Sequence, residues 1–174
     1  MSPTRTIADR SMAQPSWTQI AQLPTPHRHT VDASHIDHNG HMNVVHHFTA
    51  QVAGVREALA AVGVTEDYVA TRRLGTFAAE HHLSYLGELR LGDRYSVRTR
   101  FLGRRDKVAH LAAFLTNDTA EQLANVLEVI SVHVDLGTRR ATAFPADVGA
   151  QIDAAIESGD ALGWTFEPRL GLRP

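Results

Sequence analysis

The sequence predicts an α+β domain in which one antiparallel sheet wraps around a long helix. Three observations predict it. From Asn43 to Val62 apolar residues recur at steps of three and four, the period of a single helical face. Downstream the period changes to two, in a series of segments that read as half-buried strands. The links between those segments are short, and short links join antiparallel neighbours. A long apolar helix and a single sheet cover each other best when the sheet curls round the helix.

Residues 1–26 are expected to form a flexible lead in which Trp17, Ile20 and Leu23 can dock and Pro24 and Pro26 keep the chain extended. The folded domain is expected over residues 27–158, opening with a strand at Arg28–Ala33. The helix presents Val44, Val45, Phe48, Val52, Val55, Leu59 and Val62, and Gly63 follows where a left-handed cap is cheapest. Gly54 in its middle costs ~1 kcal/mol against alanine, which a close approach of another backbone would justify. Ala50, Ala53, Ala58, Ala60 and Ala61 keep the other sides small, so the helix is expected to be enclosed on more than one side.

In the next strand Phe77, Ala79, His81, Leu83 and Tyr85 alternate with Ala78, Glu80, His82 and Ser84. Then Tyr95, Val97, Thr99 and Phe101 alternate with Arg94, Ser96, Arg98 and Arg100, a half-buried strand with a basic outer face. Val108–Thr116 and Val126–Leu136 complete the sheet, with turn signals at Leu91-Gly92-Asp93, Gly103 to Asp106 and Asn117-Asp118. A short helix, Ala146–Glu157, follows Pro145, and residues 159–174 read as an irregular tail pinned by Trp164 and Phe166.

Composition excludes several functions. The 174 residues make one domain able to bury a core. With no cysteine there are no disulfides, thiolate nucleophiles or cysteine zinc sites. The net charge of -2 argues against a nucleic-acid or anionic-membrane binder. No run reaches the ~18 apolar residues of a membrane span, and the first 25 residues show no secretory pattern, so a cytoplasmic protein is expected. The 11 histidines include His35, His38, His41, His46, His47 and the pair His81-His82. They form no His-Glu-x-x-His motif and adjacent rings converge poorly on one ion, so no metal and no cofactor is expected. No serine lies in Gly-x-Ser-x-Gly.

The chemistry is concentrated in His35-Ile36-Asp37-His38-Asn39-Gly40-His41-Met42-Asn43, between a strand and the head of the long helix. First-turn amides of a helix are unpaired and partly positive, so they can hold an anion or a polarised carbonyl oxygen. Asp37 lies just upstream and Gly40 permits close backbone approach. A carboxylate, a glycine and a helix head together suit acyl transfer, with Asp37 as nucleophile or as base for water. The plain structural alternative is that Asp37 or Asn39 caps the helix.

Asp37-x-x-Gly40-His41-x-Asn43 resembles the signature at the head of the central helix in hotdog-fold acyl-CoA thioesterases of the 4-hydroxybenzoyl-CoA thioesterase type. Leu83-Ser84-Tyr85-Leu86 followed by Leu91-Gly92-Asp93 resembles that family's strand ending and turn. The resemblance covers about residues 28–150. Glu80-His81-His82-Leu83, Leu102-Gly103, Asp106-Lys107 and His133-Val134-Asp135 are similar to the thioesterases of carnitine breakdown, which act on betainyl-CoA. The resemblance implies a hotdog fold, hydrolysis of a small acyl-CoA without cofactor, and a homodimer or tetramer with its site between subunits. It maps the catalytic carboxylate onto Asp37 and the oxyanion donor onto an amide near Asn43 to Val45. Asn43 would orient the thioester or a water, Glu80 is a second carboxylate candidate, and His41 would buttress the loop. His47 stands where relatives usually carry tyrosine. A quaternary ammonium favours carboxylates or an aromatic cage, for which Glu80, Tyr68, Phe77 and Tyr85 are candidates. Arg98, Arg100, Arg104, Arg105 and Lys107 form a basic set suited to the phosphates of CoA, with Arg139 and Arg140 a second pair. The competing reading is a non-catalytic acyl-CoA or small-ligand binder, which needs the same pocket but not Asp37.

Overall fold

The computed structural model describes residues 14–24 and 28–172. Pro26 and most of the expected flexible lead lie outside the described residues. In chain order the elements are α1 (Trp17–Ile20), β1 (Arg28–Thr30), α2 (Val44–Ala61), α3 (Glu66–Arg72), β2 (Leu74–Tyr85), β3 (Arg94–Arg105), β4 (Val108–Asn117), β5 (Gln122–Asp135), β6 (Arg140–Ala141) and α4 (Ala146–Asp160). The main sheet runs β1-β3-β4-β5-β2 with every pairing antiparallel, and β6 adds to the end of β5. Helix α2 lies in the concave face, against β3, β4 and β5. This is the sheet-around-helix arrangement that the sequence predicts.

Helix α2 begins and ends where its chemistry demands. Asn43 caps it by accepting the Val45 amide on Oδ1 at 2.9 Å. Gly63 follows the last turn with φ 97°, a conformation that glycine adopts without steric cost. Gly54 faces β3, where it meets the side chains of Val97 and Thr99 rather than the expected backbone. A Cβ there would lie 2.6 Å from Val97 Cγ1, so the small residue lets the helix settle onto the strand. Gly54→Val is expected to cost about 1–3 kcal/mol by overpacking. Denaturant unfolding checks this, and an unchanged midpoint would mean that the helix can ride off β3 freely.

The apolar stripe of α2 divides in two. Val55, Leu59 and Val62 enter the core with Leu111, Ala113, Leu115, Leu127 and Val129 of the sheet. Val44, Val45, Phe48 and Val52 remain exposed, between 38% and 61%. Toward its head, the side that meets the sheet is instead polar, His47 and Gln51. So the expectation that one continuous apolar face is buried is corrected. Periodicity identifies the stripe, but not which part of it the chain itself covers.

Three other expectations are corrected. The lead is not extended throughout, because Ser16 opens a helical turn with a capping box that docks Ile20 under the sheet. The first strand stops at Thr30, and Ala33–His35 forms a 3₁₀ turn capped by Asp32. The turn expected from Gly103 to Asp106 is tighter, since β3 continues to Arg105 through a bulge between Phe101 and Gly103. The short helix α3, capped by Thr65 Oγ1, went unpredicted.

The convex face of the sheet is also covered. Phe114 meets Trp164 and Phe166 edge-on at 6.0 and 5.3 Å. The pinning role expected of these two residues therefore holds. Below them the buried carboxylate of Glu128 accepts the Arg169 amide on both oxygens and the Leu170 amide on Oε2, each at 2.9 Å. The tail is a strap across the outer face rather than a loose end.

Candidate functional site

The loop before α2 is closed by a β-bridge between Ile36 and Met42. Asp37 N–H donates to His41 O at 3.1 Å, and Gly40 N–H donates back to Asp37 O at 3.0 Å. Gly40 turns the chain with φ 80°. Asp37 Oδ1 accepts the Asn39 amide at 2.8 Å. Its other oxygen, Oδ2, has Asn43 Nδ2 beside it at 3.5 Å. Neither Asp37 nor Asn39 caps the helix, so the capping alternative is corrected: Asn43 performs that task, and Asp37 remains a half-buried carboxylate beside the helix head.

The amides at this end are mostly spent. Asn43 N–H donates to His35 O, and His46 and His47 N–H turn back to Asn43 O. Val45 N–H is held by the cap. Among the described residues that leaves the Val44 N–H as the first-turn donor for a ligand oxygen. His41 Nδ1 lies 3.4 Å from Met42 O, and the ring is half-buried against the loop. Asp37, Gly40, His41 and Asn43 are thus gathered within one turn of chain.

His47 is 3% exposed and meets Tyr85 edge-on at 5.8 Å. Burial holds its pKa down to about 4, helped by the charges of His41 and His46 and opposed by the Met42 carbonyl. The ring is therefore neutral at neutral pH. One turn on, Phe48 meets His81 edge-on at 5.4 Å. His47, Tyr85, Phe48 and His81 line the side of α2 that faces β2. Farther along the same side lies a groove of about 600 Å³, lined by Val52, Val55, Leu59, Val69, Ala78 and Val129.

The other expected residues are not brought here within one chain. A bulge between Ala78 and Glu80 breaks the alternation of β2. Residues His81, Leu83 and Tyr85 face α2, while Phe77 and Glu80 fall on the outer face, opposite Val132 and Ile130. Phe77 carries Arg139 over its ring at 4.7 Å. Tyr68 is buried, with its hydroxyl 2.7 Å from His133 Nε2. Of the expected aromatic cage only Tyr85 borders the helix head, because one extra residue in a strand reverses every side chain before it.

The basic set is corrected too. Arg98 and Arg100 are buried. Arg98 Nη1 donates to Ser96 Oγ and Thr116 Oγ1 at 2.6 and 2.8 Å and pairs with Asp118. Arg100 donates to Trp164 O and Asp160, and lies 4.5 Å over the Trp164 ring. Arg104 forms a bidentate pair with Asp153 of α4 at 2.6 and 2.5 Å. Arg98 ties β3 to β4 and the turn after it, and Arg100 and Arg104 fasten the tail and α4 to β3. Arg105 and Lys107 stay exposed, at the turn that joins β3 to β4.

Gln51 and Asn125 are the polar residues at this site that the sequence reading missed. Both are fully buried. Gln51 follows His47 by one helical turn, and Asn125 interrupts an otherwise apolar strand. Among the described residues no group of three or more His, Asp or Glu side chains is placed to hold a metal ion, and no helix is long and apolar enough to cross a membrane.

The family model described as thioesterase-like superfamily matches residues 31–152. A betainyl-CoA thioesterase of Pseudomonas aeruginosa is 27% identical over 143 residues, covering 82% of this chain and 90% of its own. The L-carnitine dehydrogenase/betainyl-CoA thioesterase of Agrobacterium fabrum is 29% identical over 127 residues, 73% of this chain. This chain spans only 26% of that longer protein. Among solved structures, a hypothetical protein of Staphylococcus aureus in complex with CoA superposes with a TM-score of 0.72 at 27% identity, over 84% of this chain and 87% of that one.

Proposed function

The chain belongs to the thioesterase-like superfamily, and from that premise we propose that it hydrolyses a small acyl-CoA thioester to the free acid and CoA. The observation that carries this reading is Asp37, a carboxylate fixed by the 37–41 turn beside the unspent Val44 amide. Asp37 attacks the thioester carbon or takes the proton of an attacking water. The developing oxyanion faces the Val44 N–H, and one such donor contributes roughly 3 kcal/mol to lowering the barrier. Asn43 Nδ2 steadies the second carboxylate oxygen.

Betainyl-CoA is the first ester to try, on the names of the curated relatives. Tyr85 and Phe48, both exposed near the helix head, offer the ring surface that a quaternary ammonium prefers. Arg105 and Lys107 are the members of the basic set still open to the phosphates of CoA. The reading includes a cytoplasmic setting and a homodimer. Two features support the dimer. Val44, Val45, Phe48 and Val52 make an exposed apolar face, and β2, which among the described residues pairs with β5 alone, is a sheet edge beside it. The tail covers the middle of the outer face, over Ala112, Phe114 and Val126, which favours a dimer over sheet-to-sheet stacking into a tetramer.

Phe48→Glu is expected to reduce the light-scattering mass from that of a dimer to the 19.1 kDa of one chain. A variant that stays dimeric would move the interface elsewhere. The reaction itself is tested by thiol release from betainyl, short straight-chain and aromatic CoA esters. The protein has no cysteine to contribute background. No turnover across the panel, with CoA esters still raising the melting temperature, would replace the enzyme by a binding protein.

A further inference from the structure

Between the head of α2 and the sheet lies a layer of buried polar atoms whose hydrogen-bonding capacity is not filled among the described residues. Among the described residues, Gln51 Oε1, both Oδ1 and Nδ2 of Asn125, and Nδ1 of His47 are buried without a hydrogen-bond partner of good geometry, the Met42 carbonyl being the one acceptor that bears on the His47 ring. The three residues come from two elements that pack against each other. His47 and Gln51 are one turn apart on the sheet-facing side of α2. Asn125 alternates with Leu127 and Val129, which pack in the core beneath the helix, so it faces the helix as they do. Its partners across the sheet are Tyr85 and Leu115. Tyr85 is the residue whose ring meets His47. Gln51 Nε2 donates to Ala113 O at 2.9 Å, two residues along β4 from Leu115.

Four unpaired polar atoms in one buried layer are costly. Each unsatisfied group forfeits its hydration with no return, and most buried polar groups in proteins have partners. The set also has a definite chemistry. Gln51 offers an acceptor, Asn125 a donor and an acceptor, and neutral His47 one or the other. None of them carries charge, because burial keeps His47 unprotonated. A cation would find no countercharge here, and an anion no fixed positive group. A hydroxyl, which donates once and accepts twice, matches the set.

We propose that His47, Gln51 and Asn125 form a buried site for a small neutral hydroxyl, supplied either by a resident water molecule or by a hydroxyl on the acyl group of the substrate. Only the second source rests on the proposed thioesterase activity. The site lies beside the helix head, so its guest stiffens the base on which the Asp37 loop and the first turn of α2 rest.

Two measurements on the full chain test the site without any turnover. A high-resolution crystal structure without ligand, and one soaked with 3-hydroxybutyryl-CoA, are expected to show an oxygen within hydrogen-bond distance of at least two of the three side chains. Asn125→Leu is expected to lower the melting temperature by about 3–6 °C, because it removes a partner that the guest satisfies. Were the atoms true orphans, the same substitution would relieve an unpaired amide and raise the melting temperature. That rise, with side chains turned to bond one another and no oxygen among them, overturns the proposal. The kinetic arm separates the two sources. A roughly tenfold preference in kcat/KM for 3-hydroxybutyryl-CoA over butyryl-CoA, lost in Asn125→Leu, assigns the hydroxyl to the acyl group. Equal rates with the oxygen present in the ligand-free crystal assign it to water. If no ester turns over, the crystallographic and melting results still decide the site.

Discussion

Asp37→Asn is expected to lower kcat for the preferred acyl-CoA by about 10²–10⁴-fold, the usual contribution of a positioned acid–base group. The substitution is nearly isosteric. Oδ1 is kept, so the Asn39 amide keeps its acceptor at 2.8 Å and the turn should persist. What is lost is the negative charge and the lone pair that attacks carbon or accepts a proton. KM should change little if the ester is held mainly by its CoA portion. Thiol release over a range of substrate concentrations reads both constants. Activity that survives in Asp37→Asn would retain the enzyme and discard this mechanism. A loss accompanied by a lower melting temperature would instead point to a damaged loop.

The largest expected effect on stability is at Glu128. Glu128→Ala removes the acceptor of the Arg169 and Leu170 amides. It also removes the carboxylate that lies 3.5 Å from His110 Nε2 and 3.8 Å from His82 Nδ1. Removing a buried carboxylate and its charge-assisted bonds to two backbone amides costs about 3–5 kcal/mol, at about 1.5–3 kcal/mol for each such bond. For a chain of this size that lowers the melting temperature by about 10 °C. Hydrogen exchange should rise first in residues 162–172, where the strap is released. A shift under about 2 °C would mean that the tail amides find water as easily as they find Glu128.

The pH dependence has a definite sign. Burial pushes the Glu128 carboxyl up, but His110 and the two tail amides pull it down by more, so its pKa is below the ordinary value. A depressed carboxylate contributes stability above its unfolded pKa, and loses it as pH falls through the folded value. His47 acts in the same direction by another route. Its pKa falls from 6.5 to about 4 on folding, so the unfolded chain binds the proton first. Stability is therefore complete above about pH 6.5 and declines as pH falls toward 4. Glu128→Ala should flatten the acidic end of this slope and leave the His47 portion.

Much of the fold was legible because periodicity is a local property. The bounds of α2, the start of α4, the meander of β3, β4 and β5, and the turn at Asn117-Asp118 follow from spacing, caps and breakers, whereas α4 runs past its expected end at Glu157 to Asp160. The motif from Asp37 to Asn43 was legible for the same reason, since its parts lie within seven residues. The structure gathers them as the spacing implies. Other features depend on what a distant segment does. The bulge at Ala79 reverses Phe77, so an alternation that reads as one face is two. Arg98, Arg100 and Arg104 alternate as a solvated basic face would, yet Asp118, Asp160 and Asp153 come from far along the chain to pair with them.

The sequence by itself determined the helix, the strands, the family motif and the position of Asp37, because each rests on residues a few places apart. Only the tertiary structure decided which half of the α2 stripe the chain covers, that the outer face is strapped by the tail, and that His47, Gln51 and Asn125 share one buried layer. Those outcomes depend on which surfaces come together. Burial and charge pairing are properties of pairs of segments, and no local period encodes the partner.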